Sequence, residues 1–190
     1  MKSLVLLASG RGSNASALVA ATRVGGVLHG VCTVRAIVSN VPTAGIVERG
    51  DDLGVPVVVI PSRGLSHVAW EEQLLARVEA PDAWALAGFM RLLSPSFVAR
   101  FTDRIVNVHP ADTAAHQGLR GYAWAYEARL AQTFVTVHVV DEGLDTGRVL
   151  ARAPVDLRGA TTLAEVEARG LAVEHELYPR ALCTWLRERG

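Results

Sequence analysis

The sequence predicts an α/β fold: an open, mostly parallel, twisted sheet of about seven strands with helices on both faces. Three observations predict it. Short β-branched apolar runs alternate with longer helical patterns along the whole chain. Several of those runs are apolar on both faces, as strands of a covered parallel sheet should be. A glycine-rich turn, A-S-G-R-G-S-N, joins the first run to the first helical pattern, where α/β sheets commonly bind phosphate.

Taken in order, residues 4–8 (L-V-L-L-A) form the first strand and 15–23 the first helix. Residues 32–39 (C-T-V-R-A-I-V-S) are the second strand, 44–53 a helical pattern, and 55–60 (V-P-V-V-V-I) the third strand. Helix 68–78, strand 83–87 (A-W-A-L-A), helix 95–101 and strand 104–109 (R-I-V-N-V-H) follow. Residues 122–131 are helical, 135–141 (V-T-V-H-V-V-D) and 149–155 (V-L-A-R-A-P-V) are strands, and 163–187 is a long final helix. Only residues 142–148 separate the last two strands. That is too short for a crossover helix, so this pair should be antiparallel. Residues 24–30 and 157–160 look like loops, and no linker or repeat divides the chain. A single domain over 1–190 is expected, with one half near 1–100 and the other near 101–190.

The chain has 190 residues, 50% of them hydrophobic and 20% charged, which suits an ordinary globular domain. Lys+Arg and Asp+Glu are 19 each, so there is no excess positive charge for broad nucleic-acid binding. The apolar stretch near the N-terminus is shorter than a signal peptide's core and is followed by charge and glycine. No run is long enough for a membrane span. Cys32 and Cys183 share no metal-like spacing and read as buried small apolar residues in a reducing compartment. These features predict a cytoplasmic protein with no nucleic-acid or membrane partner.

In the glycine loop, Gly10 and Gly12 permit tight or positive-φ backbone. Their N–H groups and the first helical turn can surround an anion, with Ser13 and Asn14 adding side-chain donors or a cap. The dinucleotide pattern G-x-G-x-x-G would place Ala15 in its third slot, which tolerates alanine, but no acidic residue marks the end of the second strand, where Ser39 and Asn40 stand. A Walker Gly-Lys-Ser/Thr is absent. The loop therefore favours a lone phosphate, such as one on a ribose, over NAD or ATP.

In N-V-H-P, residues 107–110, the side chains two apart on a strand share a face, so Asn107 and His109 project together near the carboxyl end of their strand. Pro110 keeps His109 extended. The connection D-E-G-L-D-T-G-R, 141–148, carries Asp145 between two glycines. A carboxylate near a histidine orients the imidazole and raises its pKa, giving an acid–base pair usable near neutrality. The spacing alone does not bring Asp145 to His109; a polar hairpin loop and a core histidine are the bland alternatives.

Six stretches in one order resemble the phosphoribosylglycinamide formyltransferase family. They are G-R-G-S-N near the N-terminus, I-V-S-N at 37–40, L-A-G-F-M-R-L-L-S-P at 86–95, N-V-H-P at 107–110, V-H-V-V-D-E-G-L-D-T-G at 137–147 and V-E-H-E-L-Y-P at 173–179. The resemblance implies the formyltransferase fold, with a Rossmann-like N-terminal half carrying the ribose phosphate and a C-terminal catalytic and folate half. It implies transfer of the formyl group of 10-formyltetrahydrofolate to the amine of glycinamide ribonucleotide in purine synthesis. Asn107, His109 and Asp145 would be catalytic. Gly12, Ser13, Asn14 and Glu174 would hold the acceptor. Met90, Arg91, Leu92 and Leu93, with Asn107 and residues Asp141, Glu142, Gly143, Leu144 and Asp145, would line the folate pocket. No metal or nucleotide cofactor is implied, and the protein would be a monomer or homodimer acting on small molecules.

The chain departs from the family pattern after His109-Pro110, where A-D-T-A-A-H-Q-G stands in place of Ser-Leu-Leu-Pro, and at Arg120 and Tyr122, where members often carry histidines. Leu171 replaces a polar residue near the substrate. These departures keep open a paralogous folate-dependent formyltransferase or formyl hydrolase acting on another phosphorylated amine. A nucleotide-binding oxidoreductase or binding module using only the glycine loop is the remote alternative. His138 is expected to be a structural hydrogen-bonding histidine, His67 a loop or surface residue, and Trp84 and Trp185 core residues.

Overall fold

The computed structural model describes residues 1–189. Its strands are β1 (Lys2–Ala8), β2 (Cys32–Ser39), β3 (Val57–Val59), β4 (Ala83–Leu86), β5 (Ile105–His109), β6 (Gln132–Val139) and β7 (Val149–Asp156). They form one open sheet in the order β3-β2-β1-β4-β5-β6-β7. Pairing is parallel from β3 through β5, then antiparallel for β5–β6 and β6–β7. The last two strands are thus antiparallel, as the short connection between them requires. Strand order reverses at β1, whose neighbours are β2 and β4. In open α/β sheets that reversal opens a crevice at the carboxyl ends of the strands.

Both faces are covered, because β1 is apolar at every position from Leu4 to Ala8 and alternates its side chains between two cores. Leu4, Leu6 and Ala8 pack with α1 (Ser13–Thr22) and α7 (Leu163–Glu188). Val5 and Leu7 pack on the other face with Trp70 and Leu74 of α4 (His67–Arg77) and with Phe97 and Val98 of α5 (Pro95–Arg100). Trp84 and Trp185 are buried, as are the free thiols Cys32 and Cys183. The final helix starts on a capping box, in which Thr162 and Glu165 satisfy each other's backbone N–H. Pro179 sits inside it and withholds one donor from the helix ladder. No helix among the described residues is long and apolar enough to cross a membrane.

Two helices differ from the sequence pattern. The stretch 44–53 divides into α2 (Gly45–Glu48) and α3 (Gly50–Leu53). The break falls at Arg49, whose N–H bonds three residues back to the Ile46 carbonyl at 3.2 Å, and the stretch is packed tightly at both glycines: a Cβ on Gly50 would overlap the Val57 side chain, and Gly45 lies against the backbone of Arg11. The helix expected over 122–131 is α6 (Gly121–Glu127). Arg129 takes a left-handed φ of 51°, the chain turns there, and β6 begins at Gln132 rather than Val135.

Candidate active site

Three strand ends meet at the crevice, and Ser9 ties them together. Its N–H donates to the Gly88 carbonyl at 3.0 Å, its hydroxyl donates to Asn40 Oδ1 at 2.6 Å and accepts from Met90 N–H at 2.8 Å. The segments after β1, β2 and β4 are thereby locked in register. Gly12 caps α1 at φ 80°, and a Cβ there would overlap the Ile46 side chain. Ile46 in turn donates its N–H to the Gly10 carbonyl at 3.1 Å, which docks α2 onto the loop. The free N–H groups of the first turn of α1 therefore face the crevice end of the sheet, the arrangement that binds anions. Asn14 is 7% exposed; its amide nitrogen donates to Glu174, and its Oδ1 is buried with no partner.

Segment 88–93 follows β4. Met90 and Leu92 are each 63% exposed beside it. The segment is held from the start of α4 and the turn before it: Arg91 donates to the Leu65 carbonyl at 2.8 Å and His67 Nδ1 lies 2.6 Å from the Leu92 carbonyl. Ser94, the N-cap of α5, gives both its N–H and its hydroxyl to the buried carboxylate of Glu71. His67, read from sequence as a loop or surface residue, is exposed but opens α4 and braces this segment.

On β5 the structure brings Asn107, His109 and Asp145 together. His109 Nδ1 lies 3.2 Å from Asp145 Oδ2, and Asn107 Nδ2 lies 3.4 Å from Asp145 Oδ1. His138 joins them. It pairs with Asn107 across the β5–β6 register, with its Nε2 3.3 Å from Asn107 Nδ2 and 3.4 Å from Asp145 Oδ1, while its Nδ1 is engaged by the Val139 carbonyl. Asp145 holds a left-handed φ of 53°, a conformation short polar side chains tolerate best.

The altered segment after His109 lies over this cluster. His109 Nε2 is 2.9 Å from the His116 carbonyl, and Gly118 N–H donates to Asp145 Oδ2 at 2.8 Å. His116 stacks on Trp124 of α6, and Asp112 pairs with Arg152 of β7. His109 is consequently 3% exposed. Burial pushes its imidazole below the ordinary histidine range, against the Asp145 charge and the His116 carbonyl, which favour the proton. Both ring nitrogens find acceptors only in the imidazolium form. For Asp145, burial pushes the carboxyl up, but bonds from His138 and Gly118 and the charge of His109 outweigh it and hold it below the usual carboxylate range.

Glu174, one turn before Tyr178 on α7, is 4% exposed. Asn14 Nδ2 and the Tyr122 hydroxyl each donate to one of its oxygens. Burial raises its carboxyl above the ordinary range despite those two bonds. Tyr122, marked in the sequence only as a departure from the family pattern, thus contacts the predicted acceptor carboxylate. Leu144, in the loop with Asp141, Glu142 and Gly143, is half-exposed near Gly118. Among the described residues no cluster of three or more His, Cys, Asp or Glu has the arrangement of a metal site.

Comparison with known proteins then decides the family. The formyl transferase family matches residues 1–182. The chain belongs to the formyl transferase family. It is 33% identical over 188 residues to phosphoribosylglycinamide formyltransferase of Escherichia coli, covering 97% of this chain and 87% of that protein. The solved structure of glycinamide ribonucleotide transformylase 1 from Geobacillus kaustophilus superposes with a TM-score of 0.90 at 37% identity, over 98% of this chain and 99% of that one. Phosphoribosylglycinamide formyltransferase from Brucella melitensis gives a TM-score of 0.88 at 34% identity, over 97% and 95% of the two chains. The open sheet with its antiparallel edge is thus the formyltransferase fold predicted from sequence. The nucleotide-binding oxidoreductase alternative falls with this assignment.

Proposed function

We propose that this formyltransferase moves the formyl group of 10-formyltetrahydrofolate to the amine of glycinamide ribonucleotide, a step of purine synthesis. The observation that carries the reading is the convergence of Asn107, His109 and Asp145 at the end of β5, two strands along the same sheet edge from the glycine turn that opens α1. The acceptor phosphate sits on the N–H groups of Ser13 and Asn14, with Gly12 allowing the close approach. The pterin of the donor lies between segment 90–93 and the loop 141–145, with Met90 and Leu92 presenting apolar surface to it. The protein works as one unit on small molecules, with no metal, and as a monomer or homodimer.

The amine nitrogen attacks the formyl carbon, a C–N bond forms, and the formyl oxygen gains negative charge. Asn107 Nδ2 donates to that oxygen, and His109 as imidazolium does so from Nε2. The His116 carbonyl now occupies the acceptor position at Nε2, so segment 111–118 shifts when the donor enters. Asp145 keeps the His109 proton in place against burial and takes up, through water, the proton that the amine loses. Collapse of the intermediate breaks the bond to N10 of the folate, which leaves with a proton from His109.

The test is an assay of purified protein with 10-formyltetrahydrofolate and glycinamide ribonucleotide, with formate release followed in parallel. Formylation of the ribonucleotide at a rate far above formate release is the expected result. Formate release alone, or transfer only to a different phosphorylated amine, would overturn it.

A further inference from the structure

We propose that Tyr122 is a positioning residue for the acceptor: its phenol aims Glu174, and through Glu174 the Asn14 side chain at the head of α1, and so sets acceptor affinity rather than the rate of formyl transfer. The inference rests on the acceptor reading above.

Three observations carry it. First, both Glu174 oxygens are claimed within the protein, one by the Tyr122 hydroxyl and one by Asn14. The carboxylate is thus a bridge between α6 and α1, set by both. Second, the long helix α7 carries Gly170 one turn before Glu174 on the same face, where a Cβ would overlap the Tyr122 ring. Glycine inside a helix is destabilising relative to alanine. Here it opens a notch through which the phenol reaches the carboxylate. Third, Asn14 turns its Nδ2 to Glu174 and leaves Oδ1 buried without a partner. A buried acceptor of that kind calls for a donor, and a sugar hydroxyl of the acceptor, held beside the first turn of α1, would supply one. Its orientation depends on where Glu174 holds the other end of the amide.

Tyr122 is also connected to the chemistry through the backbone. Gly121 is pressed so closely against Pro110 that a Cβ would overlap the Pro110 carbonyl, and Pro110 follows His109. One short stretch therefore links the imidazole, the segment covering it, and the acceptor carboxylate.

Tyr122→Phe keeps the ring in the Gly170 notch and removes only the hydroxyl. The expected result is an acceptor KM raised about tenfold, the lower end of what a hydrogen bond to a charged group contributes. Turnover and the KM for 10-formyltetrahydrofolate should stay within about twofold. Gly170→Ala, which pushes the phenol off the carboxylate, should raise the same KM, and the double variant should be no worse than the poorer single one, because both act through one contact. An unchanged acceptor KM in folded Tyr122→Phe, or equal losses in turnover and donor KM, would overturn the proposal. Titration calorimetry with ribose 5-phosphate separates this inference from the reaction assignment. Weaker binding by Tyr122→Phe supports it even if another amine proves to be the acceptor. Equal binding by variant and wild type, or none by wild type, overturns it.

Discussion

Replacing Asp145 by asparagine tests the central pair most directly. The substitution keeps size and shape, and asparagine tolerates the left-handed backbone (φ 53°) that position 145 requires, so the loop should fold as before. What disappears is the charge 3.2 Å from His109 Nδ1. That charge is the largest influence opposing burial of the imidazole. A carboxylate at such a distance favours the imidazolium, so its loss lowers that population near neutrality, and proton transfer by a positioned group contributes about 10²–10⁴-fold to rate. We therefore expect kcat/KM to fall about 10²–10³-fold, with the limb on which activity declines as pH rises moved to lower pH. Steady-state rates from pH 5.5 to 9, with circular dichroism to verify folding, measure both quantities. A folded variant within about threefold of wild type, with its pH profile unmoved, would refute the argument that Asp145 sustains the His109 proton.

Other outcomes follow from the same geometry. Asn107→Ala should lower kcat by about 10²–10³-fold, the usual loss for one oxyanion donor, while both KM values change little, as initial-rate kinetics will show. Gly12→Ala forces a left-handed φ of 80° on a residue with a Cβ and drives it into Ile46, so it should destabilise the fold by about 1–2 kcal/mol in urea unfolding and weaken phosphate binding. Stability should decline as pH falls. The folded His109 value lies below its unfolded value, so the unfolded chain takes up that proton first, from about pH 6.5 downward. Asp145 adds stability above about pH 4 that is lost as pH falls toward its lower folded value. Glu174, raised by burial, works in the opposite sense. The imidazole is isolated by comparison: in thermal melts the fall in Tm between pH 7 and 5.5 should shrink in His109→Asn.

Much of the fold was legible because it is written in local periodicity. The apolar runs of β1, β2, β4 and β5 carry their burial in their own residues, and the sheet found them within one or two positions. The stretch 44–53 has a continuous helical pattern, and its one-residue interruption at Arg49 leaves no mark in that pattern. The shared face of Asn107 and His109 followed from the period of two. The link from His138 to Asn107 required knowing that β6 pairs with β5 at that register. The covering contacts of His116 and Gly118 had no sequence signal, since they are made by backbone atoms, which every residue type possesses.

The sequence by itself determined the alternating α/β order, the glycine turn after β1 and the paired amide and imidazole at the end of β5. Each depends on backbone geometry spanning a few residues. Only the tertiary structure decided that Asp145 reaches His109, that Tyr122 reaches Glu174 through the notch at Gly170, and that segment 111–118 lies over the imidazole. Those encounters join residues far apart along the chain. They depend on how helices and loops pack against the sheet, where a hydrogen bond succeeds or fails within about an ångström.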